Sequence, residues 1–296
     1  MSEHPAFPQY NLPQTFIGCT DPYSEADTAI FGAPYDSTTS FRPGTRFAAQ
    51  AMRPDSWGLE TWSPYQDKDL DDYRICDMGD LELPFGQNEE ALSLIEAQAD
   101  ALYVDGKQPV MIGGEHSVTL GAVRAAYKHH PRLRLIHFDA HTDLRDDYLG
   151  NPYSHASVIK RCWDILGDGR IHSFGIRSGL KEEFQWAKDH LDFHPFEVIG
   201  AADLPAEIPT GTPVYVTVDL DVLDPSVFPG TGTPEPGGVS FRELHEALIS
   251  LRSLNVVGFD LVELSPHYDS SGVSTAVASK LLREMLLAFG KDRSPN

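Results

Sequence analysis

Apolar-rich runs of four to seven residues recur along the chain. Longer stretches separate them, in which apolar positions return every three or four residues. The runs at 28–33, 74–78, 109–112, 133–138, 171–175, 213–218 and 256–262 predict strands. The stretches at 89–104, 117–127, 182–190, 241–254 and 275–289 predict helices. Near-continuous apolar strands with helices between them predict an α/β fold. The arrangement is three-layer α/β/α, with a mostly parallel central sheet covered on both faces. No internal repeat, low-complexity tract or long linker breaks the pattern. Residues 1–296 are therefore expected to form one domain, with an N-terminal extension of about 25 residues.

Sheets of this kind bind ligands beyond the carboxyl ends of their strands. Three polar clusters fall there. Gly113-Gly114-Glu115-His116-Ser117 follows the run at 109–112, Asp139-Ala140-His141-Thr142-Asp143 follows 133–138, and Asp219-Leu220-Asp221 follows 213–218. Side chains two apart on an extended chain share a face, so Asp139, His141 and Asp143 are expected to converge, as are Asp219 and Asp221. Taken singly, His116 also reads as a loop histidine, and Asp219 and Asp221 as turn or cap residues. Together they place four carboxylates and two imidazoles at neighbouring strand ends. Four carboxylates in one place repel one another unless a counter-charge sits among them, and two divalent cations would supply it. Carboxylate and imidazole donors without thiolate suit manganese, although iron, cobalt or nickel would accept the same ligands.

Composition narrows the partners. Lys and Arg total 23 against 44 Asp and Glu, a formal charge of −21. That field disfavours nucleic acid and anionic membranes and permits a cationic ligand, as well as simple solubility. Three widely spaced cysteines (Cys19, Cys76, Cys162) form no metal-binding or disulfide pattern, and the N-terminus has no signal-like apolar run. A cytoplasmic protein without membrane segments is the expectation.

These motifs resemble those of the ureohydrolases, the arginase and agmatinase family. The likeness runs from about residue 29 to 289 and includes Gly-Gly-Glu-His-Ser at 113–117 and Phe-Asp-Ala-His-Thr-Asp at 138–143. It also includes Asp-Leu-Asp-Val-Leu-Asp-Pro at 219–225 and Glu-Leu-Ser-Pro at 263–266. The resemblance implies a fold shared with metal-dependent deacetylases. It also implies two manganese ions that activate a bridging water, as hydroxide, to attack a guanidinium carbon and release urea. It implies one metal on His116, Asp139, Asp143 and Asp219, and the other on Asp139, His141, Asp219 and Asp221. Asp143 would orient the hydroxide, Glu263 would pair with the substrate guanidinium, and His155 would shuttle a proton to the leaving amine. Ala156 stands where many relatives have glycine.

For substrate, the loop 144–150 lacks the Asn- and Ser-rich pattern by which arginases hold an amino-acid carboxylate. Segments 40–47, 51–53, 173–177 and 229–233 look like the agmatinase branch. The resemblance thus implies agmatine cleavage to putrescine and urea. A guanidino acid such as 4-guanidinobutyrate is the alternative, with arginine behind it. An acyl-polyamine deacylase and a catalytically silent relative are the other classes. Arg145 in that loop is expected to pair with Asp146 or Asp147, the alternative being an anion partner for a guanidino acid. Most family members are trimers or hexamers, so a homo-oligomer is implied.

Overall fold

The computed structural model describes residues 15–291. Eight strands form one sheet: β1 (Thr28–Ala33), β2 (Ile75–Asp80), β3 (Gln108–Gly113), β4 (Arg134–Phe138), β5 (Ile171–Phe174), β6 (Asp192–His194), β7 (Pro213–Asp219) and β8 (Asn255–Val262). Their spatial order is β2-β1-β3-β8-β7-β4-β5-β6, and every pairing between them is parallel. β1, β3 and β7 are buried along their whole length, as a sheet covered on both faces requires.

Alternation along the strands builds two cores. Ile30, Val110, Ile112, Val214, Val216 and Val218 face one, while Ala29, Phe31, Met111 and Tyr215 face the other. Helices α1 (Ala48–Ser56), α7 (Phe241–Ser250) and α8 (Val273–Phe289) cover the first core. Helices α2 (Asn88–Val104), α3 (Thr119–His129), α4 (Val158–Leu166) and α5 (Lys181–His190) cover the second. A one-turn α6 (Leu204–Glu207) follows β6. The result is the three-layer α/β/α arrangement.

The hydrophobic pattern does not reveal β6, α1 and α4. β6 is a three-residue edge strand reading Asp-Phe-His, and α1 is polar with Pro54 inside it. Of the N-terminal extension, residues 1–14 lie outside the described residues. From Phe16 onward the chain packs into the first core. Phe16 N–H donates to Asp77 (2.8 Å), and Trp57 donates to the Thr15 carbonyl (2.9 Å).

α8 carries a buried polar knot that anchors the two-residue hairpin Trp62–Ser63/Lys68–Asp69. Glu284 accepts hydrogen bonds from Ser63 Oγ (2.8 Å), Gln66 Nε2 (2.9 Å) and Arg283, and lies 3.4 Å from His245 Nε2 of α7. Burial raises the Glu284 carboxyl, but the donors around it outweigh that and hold it at about 2. Its stabilisation is therefore complete above pH ~4.5 and lost as pH falls towards 2. Replacing Glu284 with Gln leaves Arg283 buried without its counter-charge, at a cost of roughly 3 kcal/mol. Urea unfolding of both proteins at neutral pH and below pH 4 should show that gap narrowing with acid. A gap unchanged by pH would contradict the assignment.

Candidate metal centre

β3, β8, β7 and β4 are neighbours at the centre of the sheet, where the chain reverses its direction of strand addition. All the predicted metal-site residues leave from their carboxyl ends. Gly114 lets the loop after β3 turn there, because a Cβ at that position would overlap the Tyr35 backbone. Glu115 N–H donates to the Tyr35 carbonyl (2.7 Å), and Glu263 N–H donates to the Gly114 carbonyl (2.9 Å), tying the ends of β3 and β8 together.

The six residues meet in two overlapping groups. His116 Nδ1 lies 3.0 Å from Asp139 Oδ2, 3.3 Å from Asp143 Oδ2 and 3.2 Å from Asp219 Oδ2. His141 Nδ1 lies 3.0 Å from Asp221 Oδ2 and 3.5 Å from Asp139 Oδ1. Asp139 stands in both groups, one oxygen towards each imidazole. The means of convergence differs from the expected alternation along extended chain. Asp143 sits in the left-handed region (φ 50°), which swings its carboxylate back towards His116. Asp219 caps the turn Leu220–Val222, accepting the Asp221 N–H at 2.8 Å. Asp221 Oδ1 in turn accepts the Ala140 N–H at 3.1 Å, joining the loops after β4 and β7.

The donor set fits divalent cations. His116 Nε2 lies 3.0 Å from Thr217 Oγ1, whose hydroxyl donates to Asp260 Oδ1 at 2.6 Å. Thr217 therefore accepts the Nε2 proton. The buried Nδ1, which has no hydrogen-bond partner, points its lone pair at three carboxylates. Burial lowers His116, but Asp139, Asp143 and Asp219 outweigh it and raise the ring well above the usual histidine range, so protons and cations compete for one nitrogen. Burial and then the Asp139 charge push Asp143 up to about 7. Burial and then Asp221 push Asp219 well above the carboxylate range. A cluster that resists carrying its full negative charge is one that cations stabilise.

The second layer of partners is not signalled by the motifs. His137 on β4 lies within reach of His116 and Asp139, but both its nitrogens are engaged, by Asp139 Oδ2 (2.9 Å) and Ser173 Oγ (3.0 Å). It orients Asp139 rather than offering a free donor. Tyr215 donates to Asp260 (2.9 Å), and Thr233 donates to Asp221 (3.2 Å). Arg177 spends its guanidinium on the carbonyls of Asp221 (2.7 Å), Val222 (3.1 Å) and Glu235 (2.7 Å), clamping the turn after β7. Period-two spacing could have flagged His137, since it precedes Asp139 by two. No sequence signal points to Thr217 or Asp260.

Glu263 also lies in the left-handed region (φ 67°) and is buried. Its Oε1 accepts the His116 N–H (2.7 Å), leaving Oε2 with the space beside Gly232. Burial first, then Glu115 and Asp221, raise its carboxyl well above the usual range, as expected where a cation would be welcome. His155 stands across a cavity of about 250 Å³ whose lining also includes His141, Asp143, Asp219 and Glu263. Burial, then His141, lower its ring to about 4, so it is neutral near pH 7. Arg145 does not pair with Asp146 or Asp147 as expected. Its Nε is 3.7 Å from Glu183 Oε1, and it lies over the Tyr148 ring, while Asp146 points to Lys160 and Arg161. Glu183 belongs to α5 and reaches into the cavity wall, where Asp146 is turned outward.

Comparison with known proteins agrees with this architecture. The arginase family model matches residues 26–288. An agmatinase of Bacillus subtilis (strain 168) is 46% identical over 283 residues, 94% of this chain and 97% of the relative. A guanidinobutyrase of Pseudomonas aeruginosa is 33% identical, covering 88% of this chain and 85% of its own length. The crystal structure of an agmatine ureohydrolase of Thermoplasma volcanium superposes with a TM-score of 0.85 at 36% identity, over 93% of this chain and 94% of the other. Sheet order, strand-end cluster and sequence identity over nearly the whole length lead to one conclusion: the chain belongs to the arginase family.

Proposed function

We propose that this ureohydrolase cleaves the guanidinium of agmatine to putrescine and urea with two manganese ions per chain. The observation that carries the reading is the shared Asp139, which stands between two imidazole nitrogens, each facing its own carboxylates. One ion would be held by His116, Asp139, Asp143 and Asp219, the other by Asp139, His141, Asp219 and Asp221. When bound, the ions supply positive charge that acidifies water at the cluster.

The remaining work falls to this chain's own groups. Glu263 Oε2 pairs with the planar guanidinium and sets its carbon over the cluster. Asp143 accepts a hydrogen bond from the attacking oxygen. A new C–O bond forms, the C–N bond to the alkylamine breaks, and neutral His155 passes a proton from the water oxygen to the leaving nitrogen. Urea and the amine then leave.

The far wall speaks to substrate. Glu183 accepts from Thr142 Oγ1 (2.7 Å) and the Leu180 N–H (2.6 Å) through Oε2, while its buried Oε1 has no hydrogen-bond partner. Arg145 Nε already stands 3.7 Å from that oxygen, so a substrate ammonium would meet Glu183 only alongside or in place of this guanidinium. Arg145 beside it supports the second reading, a guanidino acid whose carboxylate would meet the guanidinium.

A side-by-side urea assay with the manganese-loaded protein decides between them. Release from agmatine at least about tenfold faster, per kcat/KM, than from 4-guanidinobutyrate or arginine is expected. Faster release from 4-guanidinobutyrate would transfer the assignment. Urea from none of the three, with acyl-polyamine hydrolysed instead, would overturn the guanidine reading.

We extend the reading to a cytoplasmic homo-trimer or homo-hexamer without nucleic-acid partners. The three buried free cysteines and the acidic composition support the compartment and the partner class. No helix among the described residues is long and apolar enough to cross a membrane.

A further inference from the structure

Glu115 sits in the Gly-Gly-Glu-His-Ser motif, is fully buried, and has no part in the scheme above. It accepts four hydrogen bonds: from Thr38 N–H (2.8 Å), Thr38 Oγ1 (2.5 Å), Thr39 Oγ1 (3.3 Å) and Ser117 Oγ (2.5 Å). A hydroxyl has one proton, and Thr38 gives its proton to this carboxylate. Towards everything else Thr38 Oγ1 is an acceptor only.

Two groups of His155 converge on that acceptor. The His155 backbone N–H donates to it at 3.0 Å, and ring Nδ1 lies 3.2 Å from it. A bare Nδ1 there would set two lone pairs against each other, so Nδ1 carries the ring proton. Nε2 is left bare, 3.4 Å from Ser40 Oγ. Both the tautomer and the ring plane of His155 therefore trace back, through one hydroxyl, to a carboxylate on the loop after β3.

We propose that Thr38, held by Glu115, is a positioning residue that fixes His155 as its Nδ1–H tautomer and presents Nε2 to the cleft. The inference rests on the ureohydrolase reading for its catalytic consequence, but not for its structural content.

The test compares Thr38→Val, which keeps shape and loses the hydroxyl, with Thr38→Ser, which keeps the hydroxyl, both loaded with manganese or with zinc for spectroscopy. Imidazole 15N shifts, with His155 assigned through a His155→Asn variant, should show Nδ1–H in the parent and in Thr38→Ser. Thr38→Val should show a mixture or the Nε2–H form. Urea release should fall about tenfold or more in kcat for Thr38→Val and recover in Thr38→Ser, with KM and metal content unchanged. Nε2–H already in the parent would overturn the proposal, as would equal tautomer populations or equal kcat in the two variants. Should Nδ1–H be found while no guanidine is cleaved, the function fails and the positioning stands.

Discussion

Replacing Asp139 with Ala is expected to empty both cation positions and to lower urea release by about three orders of magnitude or more. Asp139 turns Oδ2 to the His116 group and Oδ1 to the His141 group, so one substitution removes a donor from each. It also strands His137, which gives Asp139 a 2.9 Å hydrogen bond, and the His141 N–H, which gives it one of 2.6 Å. The charge stabilisation supplied by a metal pair is worth several kcal/mol, and each ~1.4 kcal/mol is tenfold in rate. Metal analysis after dialysis should read close to zero instead of about two ions per chain. Asp146→Ala is the control: its side chain is 86% exposed and lies outside the cluster, so metal content should hold. One ion retained in the Asp139 variant would show that the two positions do not share this carboxylate.

The second large effect is expected from Glu263→Gln. The amide keeps the shape and an acceptor for the His116 N–H, but it removes the negative charge that would face the guanidinium. Losing one member of a buried charge pair costs about 3 kcal/mol, roughly two orders of magnitude in kcat/KM. Because the carboxylate binds the guanidinium before attack and also aims its carbon for attack, KM should rise and kcat should fall, with metal content unchanged. An unaltered KM would remove Glu263 from the guanidinium.

What was legible in the sequence followed from strong local signals. Apolar runs bounded by glycine and aspartate marked the central strands, and strand-end placement singled out the six residues whose side chains the fold brings together. What was hidden depended on distant contacts or on short elements. β6 has three residues and no apolar run to announce it, and Pro54 within α1 argues against a helix that tertiary packing nonetheless forms. The convergence of Asp143 came from a left-handed backbone turn that alternation along a strand does not predict. Arg145 had acidic neighbours in sequence, yet Glu183 on α5 took it, because local charge gives no account of which side chains the fold turns inward. Thr217 and Asp260 lie inside strands and carried no sequence signal; their supporting role shows only in the buried contacts that the fold creates.

The cluster draws on four adjacent strands of a wholly parallel sheet, with residues from His116 to Glu263. No hairpin or single loop holds all of it, since its residues are spread over nearly 150 positions of the chain. Parallel pairing closes long loops before contacts repay them, so these strand ends are expected to come into register late in folding. On the proposed reading, ion uptake would be a maturation step that follows the assembly of the sheet, and tight binding would draw the folding equilibrium forward. In a cell, the apo-protein would be the form most exposed to unfolding and proteolysis, and the supply of metal would set how much of the chain survives as well as how much of it works.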